Sequence, residues 1–156
     1  MRSLCAAAFP LFLAAAAAAN TAPVYDVCCE ADVPYLGEER GELLDIYRPG
    51  TADPGERFPG VVIIHGGGWA GGTKRGAREI NIGTNLARLG YVCISIDYRL
   101  SRPDRPSWPE NVHDCKRAVQ FLRVSSERLQ VNPERIGTIG GSAGGQVAAA
   151  VATVKG

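Results

Sequence analysis

Hydrophobic positions along this chain fall into short continuous runs separated by amphipathic stretches. Residues 43–47 form an apolar segment closed by Pro49, and residues 50–59, rich in Gly, Pro and Asp, read as the turn that follows a strand. Val61-Val62-Ile63-Ile64 is β-branched without polar alternation, the pattern of a strand covered by helices on both faces. Across residues 77–89, Ile82, Leu86 and Leu89 recur at helical spacing, and Gly90 supplies a stop. Residues 91–97 read as a second buried strand. Beyond a loop carrying Pro103, Pro106 and Pro109, residues 110–124 place Val112, Cys115, Val119 and Leu122 on one helical stripe. Asn132-Pro133 marks a turn, residues 135–139 a third strand, and residues 144–154 an alanine-rich helix. Strands alternating with helices at this spacing predict an α/β fold, with a doubly wound, mostly parallel sheet and right-handed crossovers.

The first residues have a different character. Arg2 precedes an uncharged run from Leu4 to Ala19, short of the roughly 18 residues that would indicate a membrane span. A positive start, an apolar stretch and the small residues Ala17-Ala18-Ala19 predict a signal peptide over residues 1–19, cleaved before Asn20. The expectation is an exported protein, periplasmic or secreted, with one domain over residues 20–156 and no membrane attachment after cleavage.

Charge and cysteine content narrow the partners. Lys and Arg number 17 against 16 Asp and Glu, and the basic residues are scattered, which excludes the footprint of a nucleic-acid binder. Export permits disulfides among Cys28, Cys29, Cys93 and Cys115, and their pairing stays open. Cys93 lies in an apolar strand and Cys115 on an apolar helix stripe, so both read as buried free thiols. Only two histidines are present, neither near a cysteine pair, so no zinc site is expected. Nothing calls for a cofactor.

Two glycine-rich segments carry the candidate chemistry. Gly140-Gly141-Ser142-Ala143-Gly144 follows the third strand and opens the last helix. A serine hydroxyl is a poor nucleophile unless presented away from its backbone, and a sharp strand-to-helix turn between glycines does this. Seven serines among 156 residues with 19 glycines give about 0.1 chance occurrences of the pattern, and its place at a strand–helix junction sharpens it further. The second segment, His65-Gly66-Gly67-Gly68-Trp69, follows the Val61–Ile64 run. Acyl transfer builds negative charge on a carbonyl oxygen, and backbone amides aimed there stabilise the transition state by about 3–4 kcal/mol per donor. A phosphate cradle is excluded, because no Gly-Lys-Ser/Thr follows and no Gly-x-Gly-x-x-Gly opens the next helix.

Together with Asp97-Tyr98-Arg99-Leu100 and Gly145, these segments, in this order, resemble the α/β-hydrolase superfamily. More narrowly they are similar to the hormone-sensitive-lipase-like esterases and the bacterial feruloyl or acetyl-xylan (BD-FAE-like) esterases. The resemblance runs from about Asp32 onward. It implies an α/β-hydrolase sheet with its C-terminal part missing, Ser142 as nucleophile, and an oxyanion hole formed by the N–H groups of Gly67, Gly68 and Ala143. His65 would brace the loop rather than move protons. Gln146 departs from the His often found there in such esterases. Trp69 would either line an acyl pocket or pack the loop.

In this superfamily the chain order is Ser, then Asp or Glu, then His. No Asp, Glu or His follows Ser142. The expectation is an incomplete serine esterase, inactive alone, since loss of the catalytic unit costs a factor of about 10⁶ in turnover. His113, on a helix expected to pack on a sheet face, is a poor substitute base, and Asp45, Asp97 and Asp114 have no claim to a catalytic role. The implied substrate is a small-molecule or polysaccharide-linked ester, such as acetyl or feruloyl groups outside the cell. A prolyl-oligopeptidase-type peptidase shares the fold, though the His-Gly-Gly-Gly-Trp loop favours an esterase. A non-catalytic remnant or binding module is the third reading.

Overall fold

The computed structural model of the chain describes residues 23–50 and 52–154, so the segment expected to be a signal peptide lies outside the described residues. Five strands form one sheet: β1 (Val27–Pro34), β2 (Leu43–Pro49), β3 (Phe58–Ile64), β4 (Val92–Ile96) and β5 (Val131–Gly140), in the spatial order β1-β2-β4-β3-β5. Among the described residues, four helices accompany the sheet: α1 (Ala77–Arg88), α2 (Glu110–Val124), the short α3 (Ser126–Leu129) and α4 (Ala143–Thr153). The sheet is mixed. Its β4-β3-β5 portion is parallel, as strand–helix alternation requires, and β1 and β2 add antiparallel pairs at the other edge.

The β-branched runs are apolar throughout because both faces are covered. Val62, Ile64, Ile94 and Ile96 face the main core with Val112, Cys115, Ala118 and Leu122 of α2 and Val147 and Ala148 of α4. The alternate residues Tyr47, Ile63 and Cys93 turn to the opposite face, where Ala87 of α1 closes a smaller cluster with Ile82 and Leu86 against it. Helices on both faces make the sheet doubly wound. Fully burying one such aliphatic side chain stabilises the fold by about 1.5–3 kcal/mol.

Two elements differ from their sequence signals. β1 has no apolar alternation: its Cys28-Cys29-Glu30-Ala31-Asp32 stretch is exposed, and the strand exists because its backbone pairs with β2. β5 begins at Val131, earlier than residues 135–139 suggest. Its pairing with β3 jumps from Phe58–Val131 to Gly60–Ile136, so the Asn132-Pro133 turn signal becomes a bulge inside the strand. Parallel pairing brings Ile64 level with Gly140. The glycine loop after β3 and the serine turn after β5 therefore leave the same end of the sheet side by side.

Candidate active site

The turn between β5 and α4 is held in a conformation that side chains avoid. Ser142 has φ 55° and ψ −125°, in the left-handed half of backbone space, and its residue is exposed. Such strain costs about 1–3 kcal/mol and persists where surrounding structure over-determines it. The surroundings here are backbone. A Cβ on Gly140 would run into the carbonyl of Gly144, and a Cβ on Gly144 would run into the carbonyls of Ile64 and His65. Glycine at both positions lets α4 start hard against β5 and the end of β3, forcing the chain to turn at Ser142. Gly145 and Gln146 donate from their amides to the Ser142 carbonyl at 2.9 and 3.2 Å, beginning the helix.

The loop after β3 folds against this turn. A Cβ on Gly66 would lie 2.8 Å from the Gly141 carbonyl and 3.4 Å from the Ser142 Cβ. Gly67 and Gly68 both have positive φ, 124° and 60°, and both are exposed, while Ala143 is buried at the first turn of α4. Three expected site elements, Ser142, Ala143 and the Gly67–Gly68 segment, thus come together at one end of the sheet. Trp69 also has positive φ, 61°, and its carbonyl accepts from the Ser101 amide at 2.7 Å. Beside it lies a cavity of about 300 Å³ lined by Trp69, Trp108, Ser107, Asn111 and Gln146, the last one helical turn beyond Ser142.

His65 is buried. Its ring stacks on Tyr98 with centroids 4.5 Å apart, its Nδ1 donates to the Gly66 carbonyl at 2.7 Å, and the Tyr98 hydroxyl donates to the His65 carbonyl at 2.8 Å. Burial pushes the Tyr98 phenol up to about 12, so it stays a donor across neutral pH. The His65 Nε2 is buried and finds no partner among the described residues. His113 is exposed on α2. Asp114 is buried and held by Arg40 at 2.7 Å and by the Arg99 amide at 3.0 Å. Asp97 accepts from the Lys74 amide at 2.8 Å, and Asp45 binds Arg75 at 2.7 Å.

Two features around the site have no local sequence signal. Lys74, just past the glycine loop, is buried among the carboxylates of Asp32 in β1, Asp45 in β2 and Asp97 just past β4. Arg78, on the first turn of α1, pairs with buried Glu79 at 2.5 Å and lays its guanidinium over Gly141, so that a Cβ there would strike it. Among the described residues, no group of His, Cys, Asp and Glu could hold a metal ion.

Comparison with known proteins agrees with this geometry. The BD-FAE family model matches residues 44–156. Esterase LipQ of Mycobacterium tuberculosis is 35% identical over 122 residues, covering 78% of this chain and 28% of that protein. Among solved structures, a bacterial heroin esterase superposes with a TM-score of 0.67 at 30% identity, covering 80% of this chain and 38% of its own. Brefeldin A esterase, described as a bacterial homologue of human hormone-sensitive lipase, superposes with a TM-score of 0.68 at 28% identity, covering 81% and 35%. The chain thus spans less than a third of LipQ and under two-fifths of these two structures. With the strand order, the serine turn and the glycine loop in register, the chain belongs to the BD-FAE family and has the α/β-hydrolase fold.

Proposed function

We propose that Ser142 is the nucleophile of a carboxylic ester hydrolase and forms an acyl-serine intermediate, with the amides of Gly67, Gly68 and Ala143 receiving the oxyanion. The observation that carries this reading is the strained, exposed serine between β5 and α4, against which Gly66 of the neighbouring glycine loop packs. A hydroxyl projected from such a turn meets the substrate carbonyl without obstruction by its own helix. Amides fixed in advance stabilise developing charge with no reorganisation during reaction. His65 braces the loop through its Tyr98 stack and takes no part in proton transfer. No residue of this sequence is assigned as the general base or its carboxylate partner, since none of the residues after Ser142 is Asp, Glu or His.

The substrate side of the proposal rests on the cavity beside Gln146 and on the export signal. The cavity, walled by Trp69 and Trp108, would take the apolar part of an ester. The signal over residues 1–19 would send the protein out of the cytoplasm, where acetyl or feruloyl groups on polysaccharide are available esters. The test is hydrolysis of a short-chain nitrophenyl ester by the full-length protein and its Ser142→Ala variant. A loss of about 10⁶-fold in kcat is expected; equal rates would remove Ser142 from the mechanism.

A further inference from the structure

Lys74 has an environment out of proportion to an ordinary loop residue. It is only 5% exposed. Its ammonium donates to Asp32 Oδ1 of β1 at 2.9 Å and to Asp97 Oδ2, just past β4, at 3.3 Å, with Asp45 Oδ1 of β2 at 3.8 Å. Its amide donates to Asp97 Oδ1 at 2.8 Å, and its carbonyl accepts from Ser95 Oγ at 2.7 Å. Burial works against the charged ammonium, but the hydrogen bond to Asp32 and the charges of Asp97 and Asp45 outweigh it and raise the pKa. Taking an ammonium out of water costs several kcal/mol, so such a group contributes geometric definition more than net stability.

A short chain of contacts leads from Lys74 to the oxyanion amides. Gly72, two residues earlier, lies so close to the outgoing leg of the loop that a Cβ there would strike the Gly66 carbonyl and the His65 ring. Gly71 donates to the Gly67 carbonyl at 3.0 Å, and a Cβ on Gly67 would strike the Gly71 carbonyl. The return leg is therefore packed backbone to backbone on Gly66 and Gly67, and its far end is tied to the sheet at Lys74. His65 and Tyr98 fix only the near end.

We propose that Lys74 is a positioning residue for the reaction: its ionic clasp with Asp32 and Asp97 fixes the return leg of the glycine loop and, through it, the amides of Gly67 and Gly68. This rests on the assignment of those amides to the oxyanion hole. Arg75, which also reaches Asp45 and Asp32, is 45% exposed at its side chain and serves as the outer layer of the same cluster.

The test compares Lys74→Met with the parent protein by two readouts. In the full-length enzyme kcat falls by about 10²-fold with KM within twofold, and affinity for an aryl boronic acid, a mimic of the tetrahedral intermediate, falls in step. By hydrogen exchange, the Gly71 amide, bonded to the Gly67 carbonyl, exchanges faster in the variant while the Ile94 amide in β4 keeps its protection. Asp97→Asn gives the same pattern and replaces Lys74→Met if that variant does not fold. Unchanged exchange at Gly71 in a folded variant overturns the clasp. Faster exchange together with unchanged kcat overturns the role in catalysis. Parent and Ser142→Ala enzymes hydrolysing equally would instead refute the esterase assignment.

Discussion

At the scale of single residues, the site is made by backbone that comes too close for side chains. Gly144 meets the carbonyls of Ile64 and His65, so Gly144→Ala must push α4 off β3. The expected loss is about 1–3 kcal/mol, read as a lower midpoint in urea, and ester hydrolysis in the full-length protein falls more than stability does, because Ser142 moves with the helix. The thiols divide as sharply. Cys93 and Cys115 are wholly buried, and burial pushes the Cys93 thiol up to about 12 and raises that of Cys115, whereas Cys28 and Cys29 are exposed. Iodoacetamide on the native protein therefore labels Cys28 and Cys29 and spares the other two. The buried pair, the serine turn and the glycine loop were legible in the sequence because each signal is local: an apolar neighbourhood, or glycines at fixed offsets. Lys74 was not, since its partners Asp32, Asp45 and Asp97 are far away in sequence and each alone reads as a solvated charge.

At the scale of elements, burial on both faces explains which segments were readable. β3, β4 apart from Ser95, and the stripe of α2 are apolar because helices or strands cover them, and the 110–124 helix expected from that stripe is the helix observed. Leu122→Ala, at a fully buried position among Val131, Phe58 and Leu129 of the main core, costs about 2–5 kcal/mol by thermal or chemical denaturation. β1 lacked any such signal. It is an exposed strand, stapled to β2 by its backbone ladder and to the loop beyond β3 by Asp32. A strand specified by backbone pairing and by the ion pairs of Asp32 and Glu30 leaves no periodic trace in its residues.

At the scale of the whole molecule, charge and sheet edges decide behaviour in solution. Hydrogen bonds from Lys74 and then Arg75 hold the Asp32 carboxyl below its ordinary value, so its contribution to stability is present above about pH 4 and fades as pH falls through the lower folded value. Lys74, shifted upward, contributes fully below about pH 10 and loses its share as pH rises past its folded value. Midpoints of unfolding measured between pH 2 and 11 should trace this plateau, flat in between where the cluster is concerned. β5 pairs only with β3 among the described residues, and Ile139 on its uncovered face is 40% exposed. Residues 20–156 produced alone are expected to associate through that edge, so light scattering should rise with concentration; a soluble monomer with one cooperative thermal transition would contradict it. The central claim concerns one oxygen atom. Treating the full-length protein with a fluorophosphonate and mapping the adduct by mass spectrometry should place a single modification on Ser142 and none in Ser142→Ala; modification of another residue, with Ser142 untouched, would contradict the account.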